Sequence, residues 1–311
     1  MRTRLGPELQ VAGCATFWGS IGLVVRQIDL SALTVVTYRV AIASIALSLW
    51  LVLRPDDVGR RFVVHRPGRT LLQGVTLAVH WVLFFAALQR APVGLVTLIV
   101  FLAPVLMAAV APFTLGEQLT RRTGVALGLA LVGTILLVGL GAEGVEVAGL
   151  VCALLAAVLL AVLLINAKVL SPLYGGRRLA LAQVSIASVV LVPLAVAGDG
   201  AWPTRADVVW VLGLGLVYTA LALAVFLGGL GRIPALHTGV LSYLEPASAT
   251  FLGWLVLDET LGVGTVVGGV LVVAGGLLVL GAPGVDEGSI SPEAPGVDEG
   301  PSERQVSDVP G

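Results

Sequence analysis

Charge is what this chain has least of. Only 12% of its 311 residues are Asp, Glu, Lys or Arg, about half of what a soluble domain carries. So few charges cannot cover a water-facing surface of this size, which excludes a soluble enzyme and a disordered scaffold. The net charge is −1, so no basic field exists for nucleic acid. Cysteine is nearly absent: Cys14 and Cys152 both lie in apolar runs and give neither a disulfide framework nor metal-ligand spacing. Three histidines in the whole chain argue against a zinc or di-iron membrane enzyme. No G-x-x-x-x-G-K-[ST] loop occurs, so nucleotide-driven work is not expected. No cofactor is expected.

What is abundant is apolar. Hydrophobic residues make up 57% of the chain and mean hydropathy is +1.01. A bilayer core takes about 20 mostly apolar residues per helix. Such runs fall near 9–26, 31–53, 70–89, 91–113 and 123–141, and again near 148–167, 179–198, 207–229, 233–257 and 261–281. Turns separate them, among them Gly116-Glu117, Gly175-Gly176 and Asp258-Glu259. The fold class expected is an all-α polytopic membrane protein of ten transmembrane helices. The lack of period-2 alternation excludes an outer-membrane barrel. Arg2 and Arg4 precede the first run as in a signal peptide, but no well-placed small-residue cleavage site follows, and the run reads as a retained membrane helix.

Basic residues set the orientation. With the N-terminus in the cytoplasm, only Arg26, Arg90 and Arg205 fall outside, and Arg39 falls within a helix; the other fourteen of the eighteen are inside. Both termini are expected in the cytoplasm. After residue 281 the chain turns to Pro, Gly and acid, repeating Ala-Pro-Gly-Val-Asp-Glu-Gly, and is expected to be a disordered tail over 282–311.

Shifted by 142 positions, the chain matches itself. Leu88-Gln89-Arg90-Ala91-Pro92 meets Leu230-Gly231-Arg232-Ile233-Pro234, Leu102-Ala103-Pro104 meets Leu244-Glu245-Pro246, and Leu115-Gly116-Glu117-Gln118-Leu119 meets Leu257-Asp258-Glu259-Thr260-Leu261. Five helices per copy is an odd number, so the second copy enters the membrane from the opposite side. Inverted repeats recur in secondary transporters, where two halves exchange conformations around a midplane site. The expected organisation is an N-terminal segment 1–8, one repeat over 9–141, a second over 148–281, and the tail.

These motifs, present twice, resemble the EamA branch of the drug/metabolite transporter superfamily. The most specific part runs from Tyr243-Leu244-Glu245-Pro246 to Asp258-Glu259-Thr260-Leu261, with Asp258 where Gly is usual. The resemblance covers about residues 9 to 281. It implies a ten-helix carrier of the inner membrane with two EamA repeats, moving amino acids, other metabolites or drugs, often outward.

The candidate site residues are the polar and aromatic groups inside the apolar runs. Glu245 lies in the middle of the ninth, where a charge costs about 2.5–3.5 kcal/mol on insertion scales. Its proline neighbour recurs in the first half but the carboxylate does not, because its counterpart is Ala103. Glu245 either meets a substrate amine or a proton, or is tied to a neighbour for packing. Arg39 is the one base well inside a run; it neutralises Glu245, binds a substrate carboxylate, or snorkels to an interface. His80 relays protons or bonds across helices; His237 is a weaker candidate. Trp81, Trp18 and Tyr243 are either pocket walls or packing. Pro104 and Pro246, each removing a mid-helix donor, are hinge candidates or static kinks, while Pro92 and Pro234 read as helix starts. Glu117 and Glu259 repeat at turns and read as structural, complementing free helix amides. The Gly-rich fifth and tenth helices suit close packing, as braces or as a homodimer contact.

Together these predict a secondary transporter, working as an exporter and not as an enzyme. It would move a small organic metabolite such as an amino acid across the lipid bilayer by alternating access, with a proton as the candidate coupling ion. Efflux of cationic drugs is the rival within transport; a non-transporting membrane scaffold or enzyme is the rival outside it.

Overall fold

The structure, a computed structural model, describes residues 5–54, 64–91, 93–138, 146–198, 201–257 and 262–280. The tail 282–311, the Asp258-Glu259 turn and Pro92 lie outside the described residues. Every regular element described is helical. In chain order these are α1 (Leu5–Trp18), α2 (Ile21–Val25), α3 (Ala32–Leu53), α4 (Pro67–Leu88), α5 (Val93–Val100), α6 (Ala103–Thr114) and α7 (Arg121–Val138). Then come α8 (Val147–Ala197), α9 (Arg205–Gly213), a π-helical segment (Leu214–Leu221), α10 (Ala222–Leu230), α11 (Ala235–Ser242), α12 (Leu244–Leu257) and α13 (Val263–Val279).

The helices begin where local chemistry allows. The Ser31 hydroxyl accepts from the Thr34 amide to start α3, and Pro67 opens α4, where its missing N–H is no loss. Thr204 and Asp207 cap each other's backbone reciprocally at the start of α9. Gly175, at φ 69°, interrupts α8 with a conformation that L residues rarely adopt. The break expected at Gly175-Gly176 therefore exists, but the chain passes through it without an intervening loop.

Among the described residues six helical stretches are long and apolar enough to cross a membrane: Gly6–Val25, Ala32–Leu53, Pro67–Leu88, Leu95–Thr114, Val147–Ala197 and Arg205–Leu230. On α3 the inward stripe is Val36, Val40, Ala43 and Leu47, all buried, while Ile45, Leu49 and Val52 are exposed on the other side. A helix apolar on both faces, at the surface of a small bundle, has lipid as its solvent. The protein is a multi-pass membrane protein.

Helices meet through small residues. α4 lies along α8, where a Cβ on Gly74 would collide with the Ile186 side chain. α7 and α13 form a tight pair: a Cβ on Gly133 would meet the Gly268 carbonyl and Val272, and one on Gly275 would meet the Ala126 carbonyl and Ala130. The glycine faces of the fifth and tenth runs thus brace each other within one chain.

Pro104 and Pro246 each follow a short interruption: α5 ends at Val100 and α6 starts at Ala103, and α11 ends at Ser242 and α12 starts at Leu244. Each proline stands in the first turn of a new segment, where a missing donor is tolerated. The break at Phe101 frees its carbonyl, and Tyr243, at the other break, donates its hydroxyl to that carbonyl at 2.6 Å. The two rings lie 5.7 Å apart.

Candidate functional site

Three irregularities meet the inner faces of α3 and α4 inside the bundle: the α1–α2 break at Gly19-Ser20, the π-helical segment and the start of α12. The break at Gly19 lies so close to α12 that a Cβ there would collide with Ser248, Ala249 and the Glu245 carbonyl. Gly215, in the π segment, leaves room for the Ile42 side chain, and an added Cβ would also touch the Arg39 carbonyl. Backbone without side chains lets these elements close around the charged groups.

Arg39 is half-buried on α3. Its Nε donates to Thr219 Oγ1 at 3.0 Å, and its guanidinium lies 4.5 Å from the centre of the Trp81 ring. Glu245, also half-buried, stands in the first turn of α12, where its carbonyl comes against the Gly19 break. Among the described residues no hydrogen bond or ion pair within 4.0 Å engages the Glu245 carboxylate or the two terminal nitrogens of Arg39. The two charges share one interior region without closing on each other. In the low-dielectric interior that arrangement suits a guest carrying both signs.

Aromatic groups surround them. Trp18 donates its indole N–H to the Tyr218 carbonyl at 2.9 Å and packs against Phe226, their ring centres 5.0 Å apart. Tyr218 stacks on Phe17 at 4.3 Å and shares a hydrogen bond with Ser20 at 2.7 Å. A cavity beside Trp81 is lined also by Leu33, Val36, Phe85, Gln89 and Arg90, between the start of α3 and the end of α4.

The structure therefore brings together Arg39, Glu245 and Trp81, with Trp18 joined to them through the π segment. It directs His80 elsewhere: Nδ1 donates to the Ala156 carbonyl of α8 at 2.9 Å, and the ring stacks near Phe84. Tyr243 is fully buried and engaged at the Phe101 break. His237 pairs with Glu8 of α1 at 3.3 Å, both buried. Glu117 caps a helix as expected, but not its own: its two carboxylate oxygens accept the Ala235 and Leu236 amides at the start of α11.

Sequence reasoning missed Thr219, Tyr218 and Ser20. It also missed a buried amide chain in which Gln73 donates to Gln183, while Asn166 donates to Gln73 and to the Arg69 carbonyl. Each interrupts an apolar run with an uncharged polar group, a weaker signal than the charge that marked Arg39. Among the described residues no group of three or more His, Cys, Asp or Glu is placed to hold a metal.

Lipid-length apolar helices with discontinuous segments between them define the class as a multi-pass membrane protein. Comparison with known proteins gives the family. A model of the EamA-like transporter family matches residues 7–139 and again residues 147–281. The chain belongs to that family, within the drug/metabolite transporter superfamily. An uncharacterized transporter of Archaeoglobus fulgidus is 27% identical over 277 residues, covering 87% of this chain and 95% of the relative. The uncharacterized transporter YwfM of Bacillus subtilis is 28% identical over 285 residues, covering 89% and 94%. One solved structure superposes with a TM-score of 0.79 at 18% identity, over 89% of this chain and 98% of the other, a likeness of fold.

Proposed function

We propose that this protein is a secondary carrier that moves a small zwitterionic metabolite, such as an amino acid, across the cell's inner membrane by alternating access. The observation that carries this reading is the Arg39–Glu245 arrangement: opposite charges half-buried inside the bundle, with no ion pair within 4.0 Å between them among the described residues. Arg39 would receive the substrate carboxylate and Glu245 its amine, with Trp81 and Trp18 as walls. A proton on Glu245 is the natural coupling ion when the substrate leaves.

The architecture we infer is ten crossings in two inverted five-helix repeats, 9–141 and 148–281. At 1.5 Å per residue the 51-residue α8 would span about 75 Å, more than twice the hydrocarbon core of about 30 Å. It makes two crossings that meet at Gly175. Together with α7, the α11–α12 tandem and α13, the six long stretches then give ten. Contacts support the repeat. Phe101 and Tyr243, equivalent under the 142-residue shift, touch each other. Gly133 packs on Gly268 and Val272 as Gly275 packs on Ala126 and Ala130, and the same shift exchanges these two sets. Reciprocal contacts of this kind belong to a twofold relation. The distribution of basic residues supports a cytoplasmic position for both termini, and export is the direction that the family resemblance suggests.

Reconstitution into proteoliposomes tests the reading. Counterflow of amino acids should appear with the protein and fall at least tenfold in Glu245→Gln and in Arg39→Gln, with the amount of reconstituted protein unchanged. Flux of lipophilic cations that needs Glu245 and ignores Arg39 would replace the zwitterion with a cationic drug. Flux indifferent to both residues would remove the site.

A further inference from the structure

We infer that Thr219, held by the π-helical segment, is a positioning residue that aims the Arg39 guanidinium and thereby selects substrates with a carboxylate. The inference rests on the zwitterion-carrier reading and adds to it the residue that sets one half of the specificity.

The argument begins with the hydroxyl. Thr219 is 1% exposed. Its oxygen has one hydrogen, and that hydrogen goes to the Leu214 carbonyl, five residues back, at 2.7 Å. A threonine in an α-helix reaches back three or four residues instead. The five-residue reach belongs to the π-helical winding of Leu214–Leu221. With its hydrogen committed, the Thr219 oxygen can face Arg39 only as an acceptor, and it accepts from Nε at 3.0 Å.

That choice of nitrogen matters. Guanidinium donors form a rigid planar fork, and carboxylates are bound best by two parallel N–H groups. Fixing Nε to Thr219 and laying the plane over Trp81 at 4.5 Å settles the remaining orientation of the group. The two terminal nitrogens have no hydrogen-bond or ion-pair partner among the described residues, which leaves them for an anion. Gly215 completes the device: α3 comes close enough for this bond because the π segment carries no side chain where Ile42 and the Arg39 carbonyl press against it. The same segment orients the neighbouring wall, because the Tyr218 carbonyl holds the Trp18 indole. Such π segments recur at functional sites.

The experiment compares binding of the twenty common amino acids, each beside its decarboxylated amine, to the purified full-length protein in nanodiscs. In the parent protein at least one amino acid binds more tightly than its amine. Thr219→Val keeps the shape and loses the acceptor, and should weaken that amino acid about tenfold, the scale of one charge-assisted hydrogen bond, while leaving its amine within twofold. Thr219→Ser restores the acceptor and should restore the preference. If Thr219→Val does not fold, Thr219→Ala is read the same way. An unchanged preference in a folded Thr219→Val, with Arg39→Gln abolishing it, overturns the role of Thr219 and leaves the carrier reading standing. A parent protein that binds none of the amino acids overturns both.

Discussion

At the residue scale, the buried tyrosine shows how one hydroxyl closes a gap in another helix. Tyr243 donates to the Phe101 carbonyl, which the break between α5 and α6 leaves without its helical partner. Tyr243→Phe removes the donor and leaves a buried acceptor unpaired, at a cost of about 1–3 kcal/mol. Thermal unfolding in detergent should show a lower midpoint for this variant, with the charged site intact. His80 makes the opposite case: its ring nitrogen serves the Ala156 carbonyl of α8. His80→Gln is expected to lower stability while the pH dependence of flux stays where it is; a shifted profile would return His80 to the proton path. Residues of this kind were unevenly legible. Glu245 stood out because the repeat supplies Ala103 at the matching place, and Arg39 because a base is costly in an apolar run. Thr219 carried no such mark. A threonine is cheap in a membrane helix, and its role depends on a helical winding that tertiary contact, not local sequence, selects.

At the scale of elements, discontinuity is the recurring feature. The breaks at Gly19-Ser20, Phe101 and Tyr243, together with the π segment, lie where the interior must expose polar backbone, and irregular backbone in a membrane is tolerated where protein covers it. The sequence located two of these breaks through Pro104 and Pro246, each of which stands in the first turn of the segment that follows. Glycine sets the spacing of the elements. Gly19→Ala places a methyl against Ser248 and the α12 backbone; overpacking of this kind costs about 1–3 kcal/mol. The α1–α2 break should then move off α12, displacing Glu245, and substrate affinity should fall together with the unfolding midpoint. A Gly275→Leu change in the α7–α13 brace should lower the midpoint with a smaller effect on affinity, because Gly275 faces Ala126 and Ala130 and neither Glu245 nor Arg39. Binding and melting measured on the two variants separate a site glycine from a bracing one.

At the scale of the whole molecule, ends and middle are tied by different chemistry. Near the start of α11, Glu8 meets His237, and Glu117 accepts two α11 amides, whereas the middle is held by glycine contacts and aromatic rings. The cap that Glu117 provides crosses from the α6–α7 turn to α11, and the hydroxyl that closes the Phe101 break comes from α11–α12. Each set of five runs therefore supplies groups that the other lacks. Severing the chain between residues 139 and 146, in the stretch that joins the two, should yield fragments that are degraded when made singly and that regain stability and flux when made in the same cell. A dangling carbonyl in one fragment and a missing acid in the other make them obligate companions, so a gene for either piece alone would have nothing to encode but a client for proteolysis.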